Sequence, residues 1–173
     1  PAKLGDKLRS ANICCTPPVG THPMMAEIIN DMAREVLGDW TPEQTSLLVV
    51  GHGSGKNACS KQSLLGHLQE VRNNSDFAQV ADLWLEELPL VSSWKEVATK
   101  RQIIVIPYLL NDGQHGGWDI PAELGLPLDQ PIHGQTHDVE GCQVRLTAAL
   151  GTSPRFAEVI SQLVEIWGQT SGQ

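Results

Sequence analysis

The run Leu47-Leu48-Val49-Val50 constrains this chain more than any other stretch. It is a short, unbroken series of β-formers bounded by turn residues, the pattern of a strand buried on both faces. Strands of that kind belong to parallel sheets covered by helices on either side. The run empties into Gly51-His52-Gly53-Ser54 and so delivers an imidazole to the carboxyl end of the strand. Open α/β sheets bind their ligands at that edge. Glycine on both sides of His52 removes Cβ bulk and lets backbone amides approach a bound group.

The rest of the chain alternates in the same way. Ala11 to Pro18 reads as a short buried strand, and Thr21-His22-Pro23 opens a helix whose apolar face is Met24, Met25, Ile28, Ile29, Met32, Val36 and Leu37, stopped by Gly38. A helix from about Ser60 to Arg72 follows the strand of the Leu47 run, and Phe77 to Glu86 is the next strand. The sequence predicts a helix from Pro89 to about Lys100, then the apolar strand Ile103 to Leu110, with Pro107 marking a bulge or break late in it. A glycine-rich loop, Asn111 to Gly117, leads to a short helix over Trp118 to Leu124. An irregular connection, Gly125 to Gly141, precedes a strand from Gln143 to Leu150. The last helix has Ser153 as N-cap, Pro154 in its first turn, a stripe of Phe156, Val159, Ile160, Leu163, Val164 and Trp167, and Gly168 as its stop. The expected fold is α/β, a parallel β-sheet sandwiched by helices and built from about five βα units.

One internal echo stands out. Gly20-Thr21-His22-Pro23 with Ala26-Glu27 and Ile29 matches Gly151-Thr152-Ser153-Pro154 with Ala157-Glu158 and Ile160. Either two βα units arrived at similar capping chemistry, or a half has been duplicated. On the second reading residues 1–40 are a leading βα unit, the tail of a preceding homologous half, and residues 41–173 form the α/β domain.

Composition narrows the function classes. A chain of 173 residues suits one domain with a substantial core, and no apolar run approaches the roughly 18 residues of a membrane helix. Net charge is −8 and the 12 Lys and Arg are scattered, so neither nucleic acid nor a membrane is the expected partner. The four cysteines, Cys14, Cys15, Cys59 and Cys142, form no C-x-x-C pair, which argues against a zinc knuckle or a disulfide framework and suits a reducing, cytoplasmic setting. Pro1 to Ser10 carries charge and no apolar core, unlike a signal peptide.

A parallel sheet gathers the carboxyl ends of its strands on one edge. His52 follows the second strand, Glu86 closes the third, and His115 lies in the loop after the fourth. Two imidazoles and a carboxylate suit a borderline-hard divalent metal, Fe, Co, Ni or Zn, with positions left open for a substrate. Asp119, four residues after His115, is placed to orient its ring if the helix begins that early, and otherwise caps the helix. Gly51 to Asn57 is no phosphate loop, because three residues separate Gly51 from Gly55-Lys56 where four are needed, and Asn57 replaces Ser or Thr. No nucleotide cofactor is expected. His133 and His137 are four apart, but Pro131 and Gly134 argue for an irregular loop in place of a chelating helix.

Taken in order, Val49-Val50-Gly51-His52-Gly53-Ser54, Trp84-Leu85-Glu86, Ile106 to His115 with Asp119-Ile120-Pro121, and Leu150-Gly151-Thr152-Ser153-Pro154 resemble the class II tetrapyrrole chelatases. The nearest group is the sirohydrochlorin cobaltochelatases and ferrochelatases of cobalamin and sirohaem synthesis, and the resemblance runs from about Leu47 to Trp167. It implies a chelatase-like three-layer fold and insertion of Co2+, Fe2+ or Ni2+ into a sirohydrochlorin-type tetrapyrrole. His52 and His115 would bind the incoming metal and help accept pyrrole protons, with Glu86 as the third polar group. Ser54 and Lys56 would contact the macrocycle, Lys56 standing near the position where the family usually carries Arg, and Trp118 either stacks on the ring or anchors its loop in the interior. The resemblance also implies pairing with a second homologous half, in one chain or as a dimer. The alternatives are a non-catalytic chelatase-like domain binding metal or tetrapyrrole inside a larger protein, and a hydrolase using metal-bound water.

Overall fold

The computed structural model describes residues 15–53 and 58–170. Its elements are α1 (Met24–Leu37), β1 (Thr45–Gly51), α2 (Ala58–Asn74), β2 (Gln79–Trp84), α3 (Trp94–Val97), β3 (Gln102–Pro107), α4 (Ile120–Leu124), β4 (Thr136–Val139), β5 (Cys142–Leu146) and α5 (Phe156–Thr170). The strands form one sheet in the order β2-β1-β3-β5-β4. β2, β1, β3 and β5 run parallel, and β4 is antiparallel to β5 at the edge.

Alternation along the two central strands builds two cores. Leu47, Val49, Ile104 and Ile106 face α1 and α2, against Met25, Ile28, Ile29, Leu64 and Leu68. Leu48, Val50, Ile103 and Val105 point to the other face, against Val91, Trp94, Ile120 and Leu124. All seven residues of β1 are buried. This is the α/β sandwich that the continuous apolar run calls for, and among the described residues the sheet has five strands.

The individual elements depart from expectation in several places. Residues 11–14 lie outside the described residues, and Cys15 to Pro18 are exposed and outside the sheet, so the expected leading strand is not among the five. The strand expected over Phe77 to Glu86 shortens to β2. Only four residues of the Pro89 to Lys100 segment form α3, because the chain turns through Val91–Ser93 first and becomes extended again at Ala98. The connection Gly125 to Gly141 contains β4, which turns at Glu140-Gly141, both at positive φ, and pairs with β5 as a hairpin. Strict strand-helix alternation therefore ends there. β5 stops at Leu146, short of Leu150, where a tight turn over Leu150–Thr152 takes over. α5 begins at Phe156, two residues after Pro154, and its backbone continues through Gly168 to Thr170. Pro107 makes no bulge. It ends β3 opposite Val50, and the next amide, of Tyr108, donates to the Val50 carbonyl at 2.7 Å.

The internal echo is also an echo of backbone. The Thr21 amide donates to the Pro18 carbonyl, His22 to Val19, Met25 to His22 and Ala26 to Pro23. In the second copy Thr152 donates to Ala149, Ser153 to Leu150, Phe156 to Ser153 and Ala157 to Pro154. Each threonine hydroxyl donates to the carbonyl three residues back, at 2.7 Å in both copies. The two copies differ in what their helices cover. α1 is buried against this sheet, with Ile29 and Ala33 fully inaccessible, whereas their counterparts Ile160 and Val164 in α5 are 48% and 55% exposed.

Arg145 of β5 ties the end of α1 to the sheet edge. Its guanidinium lies 3.9 Å from the Trp40 ring, donates to the carbonyls of Val36 and Leu37, and pairs with Asp39 at 2.8 Å. Those carbonyls are among the acceptors a helix leaves unpaired at its C-terminus. The same hydrogen bond holds the Asp39 carboxyl below its usual range.

Candidate functional site

In a doubly wound sheet the ligand crevice lies where successive connections leave in opposite directions. Here that point falls between β1 and β3, since β2 lies to one side of β1 and β3 to the other. His52 follows β1 and His115 follows β3, one on each side of the crevice. Their ring centroids are 4.9 Å apart, edge to face.

Backbone pairing brings the third group alongside. Beyond the end of β1 the amides of Leu85 and Glu86 donate to the carbonyls of Gly51 and His52, both at 3.1 Å. Glu86 Oε1 lies 3.9 Å from His52 Nδ1. Its neighbour Glu87 turns to Lys61, with Oε2 2.9 Å from Nζ, so Glu86 is the carboxylate beside the imidazole. Lys61 also lies over the Trp84 ring, so its charge is engaged.

Each histidine has its Nδ1 occupied. His52 Nδ1 is 2.9 Å from the Gly53 carbonyl, which only accepts, so this nitrogen carries the proton. His115 Nδ1 is 2.6 Å from Asp119 Oδ2 and donates to that carboxylate. In the neutral rings Nε2 is then the atom with the free lone pair. His115 to Asp119 form one π-helical turn that continues into α4, so helical geometry does begin early enough for the expected pair. Asp119 makes no side-chain capping bond to α4.

His115, Asp119, Glu86 and Glu123 line a cleft of about 260 Å3, walled by Trp84, Leu85, Leu90 and Val91. Trp118 is 58% exposed, so it is no buried anchor of its loop, and it is not among the residues that line this cleft. Ser54 and Lys56 lie outside the described residues. Among the described residues no three His, Cys, Asp or Glu side chains already form a metal cage. An open pair of imidazoles with carboxylates at its margin suits a metal that must be handed on. A larger cavity, about 730 Å3, opens at the opposite, amino-terminal edge around Trp40, Lys100 and Asp138, away from both histidines. His133 bridges to Leu146 and His137 sits on β4, so that pair shares no helix.

Two further residues shape the site: Asp112, which the sequence did not single out, and Gly53, read there only as a flank of His52. Asp112 Oδ1 accepts from the Ala149 amide at 2.7 Å, and its carbonyl accepts from the Gly117 amide, anchoring the His115 loop to the segment after β5. In sequence Asn111-Asp112-Gly113 reads as an ordinary turn, and only the fold supplies its partner. Gly53 holds the carbonyl that His52 needs at φ +80°, and a Cβ there would lie 3.2 Å from Glu87 Cγ. Gly53→Ala should cost about 1–2 kcal/mol through the left-handed backbone alone and loosen His52. Urea denaturation and Co2+ titration of the same variant would read the two effects.

A family model described as CbiX matches residues 46–166. The probable sirohydrochlorin cobaltochelatase of Halobacterium salinarum is 32% identical over 145 residues, 83% of this chain and 50% of that protein. The chain thus spans half the length of this curated relative. Among solved structures, CbiX, the terminal enzyme for biosynthesis of siroheme in denitrifying bacteria, superposes with a TM-score of 0.72 at 20% identity, over 95% of this chain and 68% of the other. SirB from Bacillus subtilis with Fe3+ gives 0.69 at 18% identity, over 93% and 62%. At those identities the two structures show a shared fold. Among the described residues no helix is long and apolar enough to cross a membrane.

Proposed function

The chain belongs to the CbiX family, and on that premise we propose that it inserts a divalent metal, cobalt, iron or nickel, into a sirohydrochlorin-type tetrapyrrole. The observation that carries the proposal is the pair His52 and His115, 4.9 Å apart across the sheet's crevice with both Nδ1 atoms occupied. Two Nε2 lone pairs hold the incoming metal loosely enough to release it. Glu86, and the imidazoles once the metal has left their Nε2 atoms, serve as acceptors for the two pyrrole protons, whose departure balances the charge of the entering dication. The exposed Trp118 offers the macrocycle an aromatic face, and Ser54 and Lys56 supply polar contacts to its carboxylates.

The test is anaerobic metallation of sirohydrochlorin followed by absorbance, with Co2+, Fe2+ and Ni2+ in turn. Acceleration over the protein-free rate supports the reading, and tight binding of metal or macrocycle without turnover selects the non-catalytic chelatase-like domain.

The active unit is proposed to contain a second homologous half, with residues 1–40 as the tail of the preceding one. The repeated turn supports this, as does the contrast between buried Ile29 and Ala33 and exposed Ile160 and Val164. Ile160→Lys with Val164→Lys should change the stability of the chain alone by no more than about 0.5 kcal/mol, yet abolish its association with a second half in sedimentation. Unaltered association would remove α5 from that interface.

A further inference from the structure

The short bond between His115 and Asp119 carries a role that the metal-holding assignment does not contain. Asp119 stands at the start of α4, where an aspartate ordinarily caps the helix, yet it makes no capping bond. Its Oδ2 lies instead 2.6 Å from His115 Nδ1. The wide π-helical turn joins the two residues, and turns of this kind recur at functional sites. The turn is held from below: Asp112 binds Ala149 through its side chain and Gly117 through its carbonyl. A Cβ on Gly116 would press on the Asn111 carbonyl and Asp112 Oδ1 at 3.3 and 3.4 Å. The backbone of His115 is therefore fixed by the loop, and the remaining freedom, ring rotation and choice of tautomer, is what Asp119 removes.

We propose that Asp119 is a positioning residue that locks neutral His115 in the Nδ1–H tautomer and so presents Nε2 as the metal-binding lone pair. The proposal rests on the reading of His115 as a metal-holding residue. His52 reaches the same tautomer by a different route, through the Gly53 carbonyl, and so serves as an internal reference. A carboxylate behind a metal-binding histidine fixes ring orientation and raises ligand basicity, and its loss typically lowers metal affinity 10- to 100-fold.

The experiment uses the whole chain, 15N-labelled at histidine, at a pH where both rings are neutral. Side-chain nitrogen spectra should show His115 protonated at Nδ1 in the wild type. In Asp119→Asn that signature should collapse into a mixture of tautomers while His52 keeps its own. Co2+ affinity by titration should fall about 10- to 100-fold in the same variant, with partial recovery in Asp119→Glu. Backbone spectra and thermal melting separate these effects from unfolding. A His115 tautomer and Co2+ affinity unchanged in Asp119→Asn would overturn the proposal and leave the chelatase reading standing. The expected losses in a protein that never metallates a tetrapyrrole would support Asp119 as a positioning residue and remove the chelatase reading.

Discussion

His115→Ala, and equally His52→Ala, should lower the rate of sirohydrochlorin metallation by about 10²-fold or more, while the far-ultraviolet circular dichroism spectrum stays that of the wild type. The two halves of this expectation have separate causes. Both imidazoles are about half exposed, at 45% and 48% of the side chain, so truncation opens no core cavity. Among the described residues the His52 side chain bonds to the carbonyl next to it and His115 to a carboxylate on its own turn, so neither anchors a distant element through these bonds. What each variant loses is one of two neighbouring nitrogen donors, and an isolated imidazole is a poor holder of a borderline dication. Glu86→Gln keeps shape and polarity while removing charge, so it should have a smaller effect. Metallation at the wild-type rate in both histidine variants would remove the crevice as the site.

Gly151→Ala should act through the backbone and be the most damaging single methyl in the molecule's second turn. An added Cβ would overlap the Leu110 carbonyl and lie 2.7 Å from the Leu110 carbonyl carbon and Cα. Those atoms belong to main chain and cannot swing aside. The Gly151 amide also donates to the Leu109 carbonyl at 2.9 Å, holding the two segments together. Overpacking of this kind costs about 3 kcal/mol, which for a chain of this size is a fall in Tm of roughly 6–12 °C. Leu110 leads directly into the His115 loop, so the displacement should reach the site as well. Gly66→Ala is the contrasting control. Nothing lies within 4 Å of its added Cβ, and in the interior of α2 alanine should stabilise by about 0.5–1 kcal/mol. A thermal melt of both variants decides the matter, and equal shifts would contradict it.

Much of this architecture is readable in sequence because β1, β3 and the helix faces are governed by burial. A strand covered on both sides has to be apolar at every position, as Leu47 to Val50 and Ile103 to Ile106 are. The edge hairpin was illegible for the opposite reason. β4 reads Thr136-His137-Asp138-Val139, polar and short, and its pairing is set by the turn at Glu140-Gly141. Pro89 to Lys100 misled because its apolar residues, Val91, Trp94 and Val97, sit at helical spacing while a succession of tight turns does the burying. At the site, glycine flanks and strand ends marked His52, Glu86 and His115. The fine structure of the site was not available, because the Gly53 carbonyl, the Asp112 anchor and the division of labour between Glu86 and Glu87 are set by contacts between segments far apart in the chain.

The hairpin that ends the sheet has a consequence for how the protein behaves at high concentration. An open parallel sheet exposes an unpaired row of amides and carbonyls on its outermost strands, and these recruit strands from other molecules. Here one margin is the four-residue β4, carrying Asp138 in the strand and followed in the turn by Glu140, which Lys95 meets. The other is partly covered where Trp84 pairs with Leu90 and its amide donates to the Pro89 carbonyl. Among the described residues the two margins are strands of six and four residues, short templates for a growing ribbon. Association between molecules is thereby steered away from the sheet margins and toward helix faces, which favours a discrete assembly over an open-ended fibre.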